Sequence, residues 1–240
     1  MFRINYNYIK IIGLLAIVGG LFAFSNQRNS SRKVGEPTIK FLGENKLFIT
    51  DATVSKLLIQ NQETVTDQPK DIIDLNELEI ALNSNPMIKE AEVFMSVNGE
   101  LSVEIEQKRP IARVSTNASY YIDDRGSFMP LSSNYSARVP LVTGNIKKNE
   151  LETVFQFAKA VDEDAFLKIH VIEIRQNADG SIDFKVRKND FIVHLGTLKK
   201  LDKKINNFKA FYQKAMKDKI LDSYSVVNLK FDKQVICTKK

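Results

Sequence analysis

The sequence has no tryptophan, one cysteine at position 237, and two histidines, His170 and His194. Each scarcity removes a class of chemistry. A single cysteine forms no intrachain disulfide and no thiolate cluster for zinc. With two imidazoles and one thiol, most metal sites and nucleophilic triads lack their parts. No cofactor, no metal and no catalytic residue is therefore expected. What the chain does have, 43% apolar and 27% charged residues over 240 positions, is the make-up of a folded protein with one large or two small domains.

The net charge of +6 is unevenly spread. Residues 1–40 carry +5, residues 41–184 carry −9, and residues 185–240 carry +10. A nucleic-acid binder is more often basic over a whole domain, so no nucleic-acid partner is expected here.

Ile11 to Phe24 is an uncharged run of 14 residues, and it covers about 21 Å as a helix, short of the roughly 30 Å hydrocarbon core. Starting at Tyr6, with Tyr6 and Tyr8 at the interface and Lys10 snorkelling outwards, gives about 28 Å, enough to span. A cleaved signal peptide is the rival reading, because the start is basic and Ala23 and Ser25 are small. Both readings send the rest of the chain across a membrane. Arg3, Lys10 and the terminal amine face Arg28, Arg32 and Lys33, so charge counting leaves the orientation open.

Beyond the polar stretch Ser25 to Lys33, which reads as a linker, Thr50 and Asp51 are expected to cap a helix with Val54, Leu57 and Leu58 on one face. Asp74 with Glu77 is a capping-box pattern ahead of Leu75, Leu78, Ala81 and Leu82, a stripe that stops near Asn85-Pro86. The period then becomes two. Ile88, Ala91, Val93 and Met95 lead to Asn98-Gly99, and Leu101, Val103 and Ile105 return, as in a β-hairpin. The order is strand, helix, helix, strand, strand, with a polar loop from Gln62 to Lys70. Glu104 and Glu106 share a strand face and read as solvated rather than as an acid pair.

In the second half, Tyr120 to Pro130 reads as two strands around a turn at Asp123 to Gly126, where the aspartates are turn residues. Leu151, Val154, Phe155 and Ala158 outline a helix. Leu167 to Gln176, Ser181 to Arg187 and Phe191 to Leu195 are strand candidates, which puts both histidines within strands in structural or surface roles. Leu198, Leu201, Ile205, Phe208, Tyr212 and Ala215 form a helical core stripe. The lysines at 199, 200, 203, 204, 214 and 217 are placed largely on the remaining, solvated face. Ser225 to Thr238 reads as two short strands broken at Asp232 to Gln234, with Cys237 a structural thiol.

In order and spacing these segments resemble the bacterial FtsQ/DivIB cell-division family over nearly the whole chain. The matching stretches are Leu82 to Val93 (LNSNPMIKEAEV), Val103 to Ala112 (VEIEQKRPIA), Tyr121 to Phe128 (YIDDRGSF) and Val139 to Gly144 (VPLVTG). Val193 to Gly196, Leu201 to Phe208 and Val227 to Asp232 (VNLKFD) complete them. Asn228, Phe231 and Met87 depart from the family pattern, and the tryptophan-bearing extension of some relatives is absent.

The resemblance implies an α+β chain: a short cytoplasmic tail over residues 1–10 running into a span at 6–24, a linker at 25–36, a β-α-α-β-β POTRA-like domain at 37–114, and a β-rich domain with flanking helices at 115–240. It implies a non-enzymatic divisome scaffold in the inner (plasma) membrane at the septum, with its domains extracytoplasmic. FtsB/FtsL-type coiled-coil proteins and other divisome components are the implied partners, and septal peptidoglycan synthesis the process it helps control. A secreted enzyme with a cleaved signal peptide and a POTRA module of outer-membrane assembly are the alternatives. The expected contact surface is the terminal strand and adjoining basic helix, with Phe231, Lys230, Val235 and Lys217 as candidates. Phe231 takes the place of a family contact tyrosine, and it reads equally well as a core residue of its strand.

Overall fold

The computed structural model describes residues 6–43, 47–60, 63–146, 151–231 and 234–240. It is an α+β structure in which the chain divides between Gln107 and Lys108 into two compact units.

The first unit begins with helix α1 (Tyr6–Ser30), on which Ile9 to Ser30 is long and apolar enough to cross a membrane and is unburied throughout. The helix runs through the expected linker as far as Ser30, because no glycine or proline interrupts it there and the Ser30 hydroxyl folds back onto the Asn26 carbonyl at 2.8 Å. The rest of that linker is built into the unit. Val34 is 1% exposed and exchanges backbone hydrogen bonds with Gln68 and Asp67, while Lys70 N–H donates to the Arg32 carbonyl. The expected free connector at 25–36 is thus a helix end followed by a docked segment.

Strand β1 (Thr38–Leu42) leads to α2 (Asp51–Leu57), whose first turn is capped by the Thr50 hydroxyl. Two-residue strands β2 (Ile59–Gln60) and β3 (Glu63–Thr64) form a small hairpin inside the stretch read as polar loop, in which Gln62 lies outside the described residues. Helix α3 (Leu75–Asn83) starts as its sequence requires, with the Asp74 carboxylate accepting from the Asn76 and Glu77 N–H groups at 3.0 and 3.1 Å. Strands β4 (Ile88–Met95) and β5 (Leu101–Gln107) form the hairpin, turning at Gly99 with φ +89°, a conformation that favours glycine. The sheet order is β1-β5-β4. Leu101, Val103 and Ile105 bury one face with Leu78 and Leu82. Glu104 and Glu106 lie on the other face, in ion pairs with Lys40 and Lys89 at 2.8 and 2.5 Å.

The second unit is a single mixed sheet. Its strands are β6 (Pro110–Ser115), β7 (Ser119–Asp123), β8 (Phe128–Met129), β9 (Leu141–Gly144), β10 (Val171–Gln176), β11 (Ile182–Val186), β12 (Ile192–Gly196), β13 (Tyr224–Asn228) and β14 (Ile236–Lys239). They are ordered β14-β13-β12-β11-β10-β9-β6-β7-β8. Helices α4 (Glu152–Glu163), α5 (Ala165–His170) and α6 (Leu201–Lys217) supply the rest of its core.

One row of register partners crosses the sheet: Tyr120, Val114, Val142, Ile174, Phe184, Val193, Val227 and Cys237. All but Cys237, which is partly buried, belong to the core, and Phe184 meets Phe157 of α4 and Phe208 of α6 with ring centroids 5.4 and 5.1 Å apart. The next row, Tyr121, Arg113, Leu141, Glu173, Lys185, Ile192, Val226 and Thr238, faces the other way. There Glu173 accepts from the Thr143 hydroxyl and from Lys185, both at 2.9 Å.

Three expectations change. The first domain was expected to run to Val114, but residues 110–115 form β6, which pairs with β7 and β9, so it opens the second unit and the boundary falls seven residues earlier. Residues 167–170, read as the start of a strand, belong instead to α5, because the Asp164 carboxylate caps the Phe166 and Leu167 N–H groups at 3.0 Å each. Lys204 is not on the solvated face of α6. It is 5% exposed and donates to the carbonyls of Leu195 and Thr197 at 2.9 and 2.7 Å, closing the turn between β12 and α6.

Candidate partner-binding edge

Strand edges are where a sheet can accept another chain, since their outward N–H and C=O groups lack a strand partner. Among the described residues, the three- and nine-stranded sheets have four. In the first unit β4 is covered from within: the Asn83 carboxamide of α3 accepts from the Ala91 N–H at 2.9 Å and donates to the Ala91 carbonyl at 3.1 Å. Glu79 accepts from the Val93 N–H at 3.4 Å. The other edge, β1, carries Lys40, which pairs with Glu104 at 2.8 Å, and it lies in the first unit, not the one that holds the terminal strand and basic helix of the expected contact surface. In the second unit β8 is two residues long and runs into Pro130, which has no N–H to donate.

The remaining edge is β14, which pairs with β13 on its inner side from Asn228↔Ile236 to Tyr224↔Lys239. Val235 and Cys237 pack against the core on the helix side, where Val235 lines a groove of about 320 Å³ with Asn207, Ala210, Phe211, Lys214 and Gln234. Ile236 is exposed. Burial raises the Cys237 thiol above its ordinary pKa.

The four candidate residues are placed unequally. Phe231 is 47% exposed in the bend after β13, so it is not a core residue of that strand. Neighbouring Asp232 lies outside the described residues. Lys230 lays its aliphatic stem over Gly196, where a Cβ would come within 2.9 Å of Lys230 Cγ, and Gly196 also has φ +74°. Val235 sits in the groove wall. Lys217 is exposed at the last turn of α6, whereas the lysine beside Val235 is Lys214. Lys214 was legible as a surface lysine, but its place beside the terminal strand depends on how α6 crosses the sheet.

The two histidines and the turn aspartate lie apart. His170 closes α5, with Nδ1 2.8 Å from the Phe166 carbonyl and its ring stacked on Phe166 at 4.1 Å. His194 on β12 meets Asp183 at 2.8 Å. Among the described residues no group of three or more His, Cys, Asp and Glu is placed to hold a metal. Asp123 is buried in its turn, accepting from the Arg125 and Ser127 N–H groups at 3.0 and 2.7 Å and pairing with Lys108 at 3.1 Å. Arg109 pairs with Asp162 of α4 at 2.7 Å. The Lys108-Arg109-Pro110 stretch therefore fastens the start of β6 to the β7–β8 turn and to α4.

No curated protein matches the chain. A family model described as a POTRA-like domain matches residues 43–106, which begins just after β1 and takes in α2, α3, β4 and most of β5. A model described as FtsQ/DivIB, C-terminal related, matches residues 109–238, which takes in the nine-stranded sheet from β6 into β14. That match covers more than half of the sequence, and the chain belongs to the FtsQ/DivIB family.

Proposed function

We propose that this protein is a membrane-anchored, non-enzymatic divisome scaffold that captures an FtsB/FtsL-type coiled-coil partner by strand addition at β14. Membership of the family gives it a divisome-associated role, and that family is generally one of non-enzymatic division scaffolds. In this reading α1 is retained as a single span with the N-terminus cytoplasmic and the two units extracytoplasmic at the septum. The captured partner carries the scaffold's influence to septal peptidoglycan synthesis.

The observation that carries the reading is the terminal position of β14 in the nine-stranded sheet, beside the Val235 groove and the half-exposed Phe231. Backbone pairing at an edge supplies affinity, and side chains that alternate along the added strand supply selectivity. Phe231, Lys230, Val235 and Lys217 are the proposed contacts. The +10 charge of residues 185–240 favours an acidic partner and quickens its approach.

Replacing Phe231 with Lys is expected to abolish capture of the FtsB/FtsL-type partner in a pull-down from membranes. The thermal midpoint should stay within a few degrees, because the ring lies outside the core and surface changes usually cost under about 0.5 kcal/mol. Undiminished capture by the variant would place the site elsewhere.

A further inference from the structure

The basic residues after the span are not accounted for by orientation, since as many positive groups precede the apolar run as follow it. Their surroundings give them a use. Leu21, Phe22 and Phe24 of α1 form one wall of a hollow of about 790 Å³, completed by Ser25, Asn26, Arg28, Asn29, Arg32 and Val97. Val97 belongs to the tip of the β4–β5 hairpin and is 75% exposed. The tip is held against α1 by the Arg32 guanidinium, whose Nη1 donates to the Val97 carbonyl at 3.0 Å and to Asn98 Oδ1 at 3.1 Å. The docked backbone of Val34 and a bond from Gly35 N–H to the Gly99 carbonyl, 3.3 Å, fix the same corner.

We propose that this hollow seats the headgroup of an anionic phospholipid and that the hairpin tip rests in the interfacial layer with Val97 turned into it. The inference depends on α1 being a retained span. Arg28 lies one helical turn beyond Phe24, about 6 Å farther along the axis, and the headgroup layer is roughly 5–8 Å deep on each side of the hydrocarbon core. The guanidinium therefore lies at phosphate depth when Phe24 lies at the edge of the hydrocarbon. The lining is chemically matched to such a lipid: apolar side chains below, then two arginines and two asparagines, with no carboxylate among them. Arg28 makes no ion pair among the described residues. A valine left exposed at a hairpin tip gains by entering an apolar layer, and each arginine near an anionic surface enriches such lipid about fivefold.

The test uses the full chain with Cys237→Ser, in nanodiscs of phosphatidylcholine and phosphatidylglycerol, with single labels at Val97→Cys, Phe24→Cys and Ile80→Cys. A spin label at 97 is expected to be relaxed more by oxygen than by a water-soluble nickel chelate, as at 24 and opposite to 80. If 24 is lipid-exposed while 97 behaves as 80 does, the anchor stands and this inference falls. If 24 itself is reached by nickel, the span reading falls and takes the inference with it. A fluorophore at 97 is expected to be quenched about fivefold more by brominated phosphatidylglycerol than by brominated phosphatidylcholine at equal amounts. Arg28→Gln should reduce that preference. Equal quenching by the two lipids in the unsubstituted background overturns the anionic selectivity.

Discussion

Three carboxylates of the second unit are held by cationic partners. Burial pushes the acids of Asp162, Asp164 and Glu173 upward, but hydrogen bonds and ion pairs outweigh it and leave all three below the usual carboxylate range. Asp162 accepts from Lys168 and Arg109, Asp164 from Lys209 and the first turn of α5, and Glu173 from Lys185 and Thr143. A depressed folded pKa contributes stability that is complete above the unfolded value, about 4, and is lost as pH falls through the folded one. Urea denaturation of the full chain in detergent should thus show a stability plateau down to about pH 5 and a decline below about pH 4. Asp164→Asn keeps a capping side chain but loses the Lys209 pair, so its decline should be shallower. An equally steep decline in the variant would remove Asp164 from the account. None of these pairings was legible in the sequence: Arg109 and Lys209 lie 53 and 45 positions from their carboxylates, and the Asp164 cap stands just ahead of a stretch that reads as strand.

At the scale of elements, the first unit closes one of its own strands. The outward backbone groups of Ala91 are held by Asn83 at the end of α3, eight residues earlier. Asn83→Ala leaves that N–H and C=O without a partner, at a cost of about 1–3 kcal/mol. Hydrogen exchange should rise selectively at Ala91 and leave Val103, in the middle of β5, protected. Unchanged exchange at Ala91 would show that the carboxamide does not guard the edge. The helix, the hairpin and the cap at Asp74 were all readable from period and turn chemistry. That α3 lays Asn83 against β4 was not, because asparagine near Pro86 reads first as a helix stop. The same applies to Gln107, buried at 2% exposure, which accepts from the Phe48 and Ile49 N–H groups at 3.0 and 3.3 Å and positions the entry to α2.

For the whole molecule, the first question is whether α1 stays with the chain. A retained helix leaves the protein in the pellet after carbonate extraction of membranes, and its mature N-terminus still contains residues before Phe24. A terminus near Asn26 would instead mean a cleaved leader and would return the secreted reading. A retained span would be Tyr6 to Phe24 of α1, about 28 Å long, with Arg28 one turn beyond it.

Local patterns carry most of this fold. Alternation of two marked β4 and β5, the 3.6-residue stripe marked α2, α3, α4 and α6, with caps at α2 and α3, and Asn98-Gly99 marked the hairpin, since each depends on neighbours within a few positions. The candidate edge was legible to the same extent: a short terminal strand with Phe231 beside it. Tertiary structure decided what needs distant partners. It assigned β6 to the second sheet through β9, 28 residues later along Val114↔Val142. It buried Lys204 under two carbonyls, set Lys214 rather than Lys217 beside Val235, and drew Val34 out of a linker into the first unit. A lysine or a valine has the same intrinsic preferences wherever it occurs, and only the surfaces brought against it by the rest of the chain decide whether it faces water, a carbonyl or a neighbouring strand.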